Sequence, residues 1–260
     1  MSDFYSSLEN SRKYDADGHV KAGVVPHHLT AAPLISGFFE MCANASPDGY
    51  DTVIIVAPNH VRGIADVVYS RRDWNILDGV KCDTDIIDSL ADIWINGISI
   101  AENDDRVEND HSASVLIPYI AHYFPGAKTV PILVSRDMPL DETIIFAESI
   151  AALIHESAKR ILLICSIDFS HFVSPSESII NDLLTVDAIE SLNYMKIINL
   201  PASSIDSPAA LIVFLRYLTE LGIAPVIVDR ADASEYIGAH IEITTSYIVI
   251  SGSKESICNQ

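Results

Sequence analysis

Histidines and an aspartate follow three apolar runs of this sequence, each time at the point where a predicted strand ends. His27 and His28 close the run KAGVVPHH, His60 closes TVIIVAPNH, and Asp168 and His171 close RILLICSIDFSH. Neutral imidazole binds zinc, copper and iron, and a metal site that also activates a substrate needs only two or three protein ligands. These residue types therefore favour a metal site with open coordination positions.

The positions of these residues predict different roles within such a site. His27 and His60 each lie just past a strand and close after a proline, so both could bind the metal. His28 cannot easily point the same way as its neighbour, so we expect it behind the metal or packed. Asp168 and His171 are three residues apart, which places them on one side of a helical turn. His171 could then act as general acid or base with Asp168 fixing its tautomer; alternatively, Asp168 caps a turn and His171 lies at the surface.

His111 is a further candidate, because it follows the acidic stretch Glu108-Asn109-Asp110 at the entrance of a helix predicted to begin at Ser112. It could be a buried acid or a substrate contact, or it could belong to a solvated helix start. Spacing does not decide between these alternatives. No role is predicted for three further histidines, His122, His155 and His240.

The apolar runs that precede these residues are short and rich in β-branched side chains, which is typical of strands buried on both faces of a parallel sheet. Amphipathic helices are predicted over residues 30–45, 83–96 and 141–157, and Ser-Pro pairs at 174–175 and 207–208 each begin another helix. The segment 64–70 could add a strand, and strands are expected over 225–229 and 243–250. Alternating strands and helices predict a three-layer α/β/α domain with a mainly parallel sheet, in which ligands bind beyond the carboxyl ends of the strands.

The size and composition of the chain favour one domain over residues 1–260. The 260 residues are 49% hydrophobic with a mean hydropathy of +0.26, which is enough to bury a large core. Residues 1–18 are polar and lack periodicity, so we expect a loosely held terminus. No apolar run is long enough to span a membrane and the N-terminus has no secretory pattern, so a cytoplasmic location is expected.

The net charge limits the expected partners, and the cysteine content limits the expected kinds of site. The formal net charge of -20 repels phosphate backbones and anionic lipid, so the expected partner is a small-molecule substrate, without nucleic acid or membrane. A homo-oligomer is compatible with the sequence, which does not fix the number of copies. The four cysteines are scattered without a CxxC pair, which argues against a disulfide framework or a cysteine-rich zinc site.

Three common catalytic motifs are missing from the chain. The sequence contains no GxSxG elbow, no GxxxxGK[ST] loop and no GxGxxG fingerprint. Among enzymatic functions, metal-assisted chemistry is therefore favoured.

Four segments together resemble the Memo-like family, the AmmeMemoRadiSam system protein B group, whose fold is similar to that of class III extradiol dioxygenases. The segments are VVPHHLTAAPLISG, VIIVAPNH, DHSASVLIPYI followed by TVPILVS, and ICSIDFSHF, and the resemblance covers residues 22–251. It implies that His27 and His60 bind a metal and that Asp168 and His171 line the same site. It also matches His111 to a histidine of a family motif.

The chain departs from the family pattern at one position. Some family members carry a metal-binding cysteine in a Cys-Gly-x-x-Pro turn, and the matching stretch here begins with Ser204 and ends with Pro208. Serine is a poor ligand for a soft or borderline metal. Asp206 could replace the thiolate and complete a set of two histidines and one carboxylate, or it could merely help to cap the helix that begins at Pro208.

The resemblance implies a dioxygenase-like or redox enzyme that uses Fe(II), with Cu or Zn as alternative ions, on a small molecule. In this interpretation His27, His60 and Asp206 bind the metal, and the catalytic residues are His171, Asp168 and His111. Two alternatives stay open. The same residues suit a metal-assisted hydrolase, and the missing cysteine suits a non-catalytic protein that binds a ligand or partner at a degenerate metal site.

Overall fold

Eight strands of the described chain form one sheet. The computed structural model describes residues 1–61, 63, 65–93, 98–238 and 241–254. The strands are β1 His19–Val25, β2 Thr52–Pro58, β3 Val67–Tyr69, β4 Ile100–Glu102, β5 Lys128–Val134, β6 Ile161–Ser166, β7 Val226–Asp232 and β8 Ser246–Lys254. Their order across the sheet is β4-β3-β5-β2-β6-β1-β8-β7.

The four central strands, β5, β2, β6 and β1, are parallel. Val56 of β2 pairs with Ile132 of β5 on one side and Cys165 of β6 on the other, and Cys165 also pairs with Val24 of β1. Antiparallel pairing occurs toward the edges, where β3 joins β5, β8 joins β1 and β7 joins β8. The prediction of a mainly parallel sheet is confirmed, with antiparallel pairs on both sides of the parallel centre.

Eleven helices in the described residues surround the sheet. They are α1 Ser2–Glu9, α2 Ala32–Ala45, α3 Thr84–Ile93, α4 Asp104–Asn109, α5 His111–Ser114, α6 Ile117–Tyr123, α7 Leu140–Glu156, α8 Pro175–Glu190, α9 Tyr194–Ile198, α10 Pro208–Leu221 and α11 Ser234–Ile237. A short 3-10 turn, Leu29–Ala31, precedes α2.

The alternation of β2 side chains divides the core into two layers. Ile54 packs in the cluster that contains Phe146 of α7 and Phe214 of α10. Ile55 points the other way, into the cluster that contains Phe39 of α2 and Tyr119 of α6. Helices therefore cover both faces of the sheet, which confirms the predicted three-layer α/β/α architecture.

The amino terminus differs from the prediction of a loosely held segment over residues 1–18. It begins with helix α1, in which Phe4 is buried against the ring of Tyr119 and the Ser7 hydroxyl lies 3.0 Å from the Tyr119 hydroxyl. Two buried residues in an eight-residue helix are too few to give a recognisable period. The prediction failed for that reason.

Several predicted boundaries also shift. The helix expected from Ser112 is divided into α5 and α6, and Pro118 lies in the first turn of α6. The helix that begins after Ser174 ends at Glu190, short of the predicted end near Met195, and α9 follows as a separate element. Strands β7 and β8 each extend beyond the predicted end. The end of the helix predicted over 83–96, like Ile64, His240 and Cys258, lies outside the described residues.

Candidate metal centre

The strand order brings the predicted site residues together. Strands β2, β6 and β1 are adjacent and parallel, so the segments that follow them leave the same edge of the sheet. The ring centroids of His27 and His60 are 5.5 Å apart. Helix α5 adds His111, whose ring lies 4.5 Å from that of His60 and 5.1 Å from that of His27.

These three imidazoles form the group in the described residues whose arrangement suits a metal ion. One ring nitrogen from each of His27, His60 and His111 lies within 4.8 Å of the other two. His27 is buried, whereas His60 and His111 are exposed, so the group is open to solvent on one side. An ion held here would keep coordination positions free for a substrate.

The tautomer of His27 follows from its hydrogen bonds. Ser166 at the end of β6 donates its hydroxyl proton to the carbonyl of Ser112 at 2.6 Å, so its oxygen must accept from His27 Nδ1, 3.1 Å away. The lone pair of His27 therefore lies on Nε2. Complete burial lowers the pKa of His27 to about 3, which keeps the imidazole neutral. A neutral imidazole with its free nitrogen fixed in direction is the form that binds a metal.

A carboxylate fixes the second imidazole. Asp110, which caps α5, accepts a hydrogen bond from His60 Nδ1 at 2.8 Å and from the His60 backbone amide at 3.2 Å. Arg106 holds the other side of this carboxylate at 3.1 Å. Burial opposes ionisation of Asp110, but the hydrogen bonds from His60 and Ser112 outweigh it and hold its pKa well below the ordinary value. Nε2 of His60 is left for a ligand.

Asp206 lies directly beside the histidine group. Its Oδ2 is 3.2 Å from His27 Nε2 and accepts a hydrogen bond from the backbone amide of Asp168 at 3.2 Å. The N-cap residue of α10 is Ser207, whose hydroxyl accepts from the Ala210 amide, so Asp206 is not itself the cap residue. Burial, followed by the nearby Asp168 charge, raises the pKa of Asp206 well above its ordinary value. Ser204, at the family cysteine position, is buried.

The Asp168 carboxylate contacts His27 and His28, and not His171 as predicted. Its Oδ1 accepts from the His27 backbone amide at 3.1 Å, and its Oδ2 lies 2.9 Å from His28 Nδ1. Although burial alone would raise it, the neighbouring histidines, His27 first, lower the pKa of Asp168 to about 2. Contact with this carboxylate raises the pKa of His28. His28 thus lies behind the three-histidine group through its contact with Asp168, which agrees with one of the two expected positions, and its ring also lines the cavity.

His171 lines the same cavity, but the backbone that positions it is not the predicted helical turn. Residues 167–171 form an irregular loop, whose backbone bonds run from Phe169 to Ser246 and from His171 to Ser203. Because the loop is not helical, the three-residue spacing does not bring His171 against the Asp168 carboxylate. Burial lowers the pKa of His171, and its Nδ1 is buried without a hydrogen-bond partner.

A cavity of about 430 Å³ opens over the histidines. Its walls include Arg136, which follows β5 and donates to the carbonyls of Leu200, Ile205 and Asp206. The sequence interpretation missed Arg136, as well as the orienting roles of Asp110 and Ser166. A signal existed for Arg136, because it lies at the carboxyl end of a predicted strand next to the others.

Buried polar atoms without a hydrogen-bond partner indicate that the site holds a ligand or an ion. Among the buried side-chain atoms of the described residues, His171 Nδ1 and Asp206 Oδ1 have no hydrogen-bond partner. Buried polar atoms usually have partners, so two unsatisfied ones in a single site indicate that a ligand belongs there. Together with three ring nitrogens, this donor set fits a divalent transition-metal ion and its ligands.

The fold and the site define a class: α/β proteins that collect imidazoles and carboxylates at the carboxyl edge of a mainly parallel sheet. Comparison with family models makes the assignment more specific, because the model described as "Memo-like protein" matches residues 5–251. The chain belongs to the Memo-like family.

Relatives of known family agree with this assignment, and a solved structure shares the fold. A MEMO1 family protein of Sulfolobus acidocaldarius is 30% identical over 179 residues, which are 66% of this chain and 60% of that protein. One of Pyrobaculum arsenaticum is 26% identical over 239 residues, 88% of this chain and 82% of that protein. The crystal structure of an uncharacterized protein from Escherichia coli K12 has a similar fold, with a TM-score of 0.57 at 13% identity over 89% of this chain and 99% of that one.

Within the described residues, no helix combines the length and the apolar character that are needed to cross a bilayer.

Proposed function

We propose that this protein is a metal-dependent enzyme that acts on a small molecule, with the ion held by His27, His60 and His111. The observation that supports the proposal best is the convergence of three ring nitrogens within 4.8 Å. Hydrogen bonds to Ser166 and Asp110 direct two of these rings, as they do for histidines that bind metals in other proteins. Asp206 adds a carboxylate beside His27.

Fe(II) is the ion we propose first, because the resemblance to class III extradiol dioxygenases implies it, and Cu and Zn are alternatives. Imidazole nitrogen suits all three metals. When bound, the ion would supply Lewis acidity, and a redox-active ion would also supply electrons.

The residues around the histidines would bind and orient the substrate. A cavity of about 430 Å³ is the size expected for a small-molecule site. His171 Nδ1 is buried, unpartnered and available to hydrogen-bond a polar group of the substrate or to move a proton. Asp168 and His28 form a second pair that can hold a proton, since their side chains are 2.9 Å apart.

An oxygen-dependent reaction is the first candidate, and it rests on the family resemblance. Hydrolysis is the second candidate, and a specific observation favours it: three histidines with an open position are also the ligand set of catalytic zinc sites. The missing family cysteine leaves a binding protein without catalysis as the third.

The test is turnover by metal-free protein that has been reloaded anaerobically with Fe(II) or with Zn. Oxygen uptake with a panel of catechol-like compounds would support the first reaction, and zinc-dependent release of product from ester or amide substrates without oxygen would support the second. His60→Ala should abolish either activity, whereas His155→Ala, an exposed histidine on α7, should keep it. Full metal loading without turnover on either panel would contradict the enzyme proposal and favour the binding protein.

A further inference from the structure

Helix α8 carries an uncovered apolar surface. Ile179, Ile180, Leu183 and Leu184 are 51%, 59%, 64% and 49% exposed, and they lie on one side of the helix at i, i+1, i+4 and i+5 spacing. The opposite side buries Ser178 and other residues against the protein. Four large aliphatic side chains side by side on one helix form a contiguous patch of the kind that marks an interaction site. We call these four residues the α8 patch.

The α8 patch is symmetric about a point one residue from the middle of the helix. Ile179 and Leu184 are equally distant from the midpoint between residues 181 and 182, and so are Ile180 and Leu183. Two such helices packed antiparallel would therefore place Ile179 of one copy against Leu184 of the other, and Ile180 against Leu183. A two-fold interface requires this kind of self-complementary pattern, in which residue i meets j and j meets i.

Two residues that flank the helix provide evidence for an interface that does not depend on the symmetry of the α8 patch. Phe172 and Leu192 precede and follow α8, are 77% and 39% exposed, and have φ angles of 52° and 50°. A left-handed backbone is unfavourable for bulky side chains and normally selects glycine or asparagine. Apolar side chains at two strained, solvent-facing positions are explained if both contact a partner.

Charge on the helix is compatible with a second copy. Glu177 lies in the first turn, and Asp187 and Glu190 lie in the last two turns. In the antiparallel register Glu177 of one copy faces Val186 of the other, and Asp187 faces Ser176, so no acid directly opposes another acid. A standard interface buries about 800 Å² on each partner, and the patch with Phe172 and Leu192 would form the apolar centre of such an interface.

We propose that the protein forms a two-fold homodimer in which the α8 patches of two copies pack antiparallel. The interface is close to the candidate metal centre, because Phe172 also lines the cavity. The inner side of α8 contacts the site loop, where Asp182 accepts a hydrogen bond from the Ser170 hydroxyl at 2.7 Å. Dimer formation thus braces the helix that holds the loop with Asp168 and His171.

The test introduces opposite charges at two positions that face each other across the two-fold axis. Analytical ultracentrifugation of the full chain between about 1 μM and about 100 μM should detect a wild-type dimer that dissociates within or below this range. Ile180→Lys and Leu183→Glu should each weaken self-association by about tenfold or more. Mixed in equal amounts, the two variants should form a heterodimer, because the lysine introduced in one copy then meets the glutamate introduced in the other. The second contact, between the unchanged Leu183 and Ile180 side chains, stays apolar.

Controls separate this interface from others. Ile145→Glu changes a 48% exposed apolar residue on α7 and should leave the dimer intact. Circular dichroism should confirm that all variants are folded. Added NaCl should strengthen the dimer, since each copy carries a net charge of -20. A monomeric wild type, a dimer unaffected by Leu183→Glu, or a mixture that fails to associate would overturn the proposal.

Discussion

Hydrogen bonds to ring nitrogens decide which imidazoles of the candidate site can bind a metal. Ser166 and Asp110 each hold Nδ1 of one histidine, so Nε2 of His27 and His60 remains available. A third ring, that of His111, lies beside both. Hydrogen bonds fix the direction of two rings, and burial keeps His27 neutral, which favours a metal over a proton at that nitrogen.

Asp110→Asn should weaken metal binding while the three histidines remain. The amide cannot match the carboxylate as partner of both His60 and Arg106, which hold it at 2.8 Å and 3.1 Å. We expect a loss of metal affinity of about 10- to 100-fold, measured by competition with a chelator. Asp105→Asn, an 81% exposed aspartate on α4, is the matched control and should not change affinity. Equal affinity in both variants would show that Asp110 does not orient a ligand.

Asp206→Asn should make the metal-free protein more stable at neutral pH. Burial raises the pKa of Asp206 above its unfolded value, so the native state loses stability relative to the unfolded chain as the pH rises above about 3.8. The amide has no charge to bury, and its advantage should appear at pH 7 and vanish below about pH 3. Urea unfolding of chelator-treated protein at both pH values measures this difference. A less stable variant at pH 7 would contradict the assigned direction.

His27 and His60 could be predicted from the sequence because strand ends in a parallel sheet converge. His111 could be identified only as a candidate, and its place beside the other two histidines could not be derived. Its position depends on α5, which begins after the Asp110 cap and lies some distance along the chain from either strand. Local spacing also misassigned the partner of Asp168, because the loop to His171 is irregular.

Helix α8 has an exposed apolar side and a buried side that faces the protein. Its outer side carries the α8 patch, and its inner side holds Asp182, which is 4% exposed. Asp182 accepts hydrogen bonds from Ser170, Ser246 and Arg230, so one carboxylate joins the helix to β7, β8 and the site loop.

Asp182→Ala should destabilise the protein strongly. It removes the acceptor of two buried hydroxyls and leaves the Arg230 guanidinium, 29% exposed, without this partner. We expect a loss of about 2–4 kcal/mol in the free energy of unfolding, measured with urea. Asp187→Ala on the same helix removes an exposed pair with Lys196 and should cost less than about 0.5 kcal/mol. Similar losses in both variants would mean that the buried network contributes little.

Helix positions were predictable where long amphipathic periods exist. The predicted range 141–157 agrees closely with α7, Leu140–Glu156, and the Ser207-Pro208 pair begins α10 as expected. The stretch from Asn103 to Tyr123 divides into three short helices because caps and a proline interrupt it. Such divisions depend on local hydrogen bonds that hydrophobic periodicity does not report.

At the scale of the whole molecule, fold class could be predicted but strand order could not. Apolar runs report that β2 and β6 are buried, yet burial does not identify their neighbours. The antiparallel pairs near the edges, β3 with β5 and β8 with β1, arise from long-range contacts. The two-layer core, in contrast, follows from strand alternation and amphipathic helices.

The net charge of -20 predicts how salt affects stability. Repulsion among 36 acidic groups, only partly balanced by 16 basic ones, disfavours the compact state at low ionic strength. The melting temperature should therefore rise as NaCl increases from about 10 mM to about 150 mM, over which the Debye length falls from about 30 Å to about 8 Å. Differential scanning calorimetry measures it. A falling melting temperature would mean that screened ion pairs outweigh the overall repulsion.

The most direct measurement of the central claim is the metal stoichiometry of His111→Ala beside the wild type and His155→Ala. Metal-free proteins would be equilibrated anaerobically with Fe(II) and, separately, with Zn, desalted and analysed for metal content. We expect one ion per chain in the wild type and in His155→Ala, and nearly none in His111→Ala. Full loading of His111→Ala would contradict the three-histidine site and favour the alternative set of His27, His60 and Asp206.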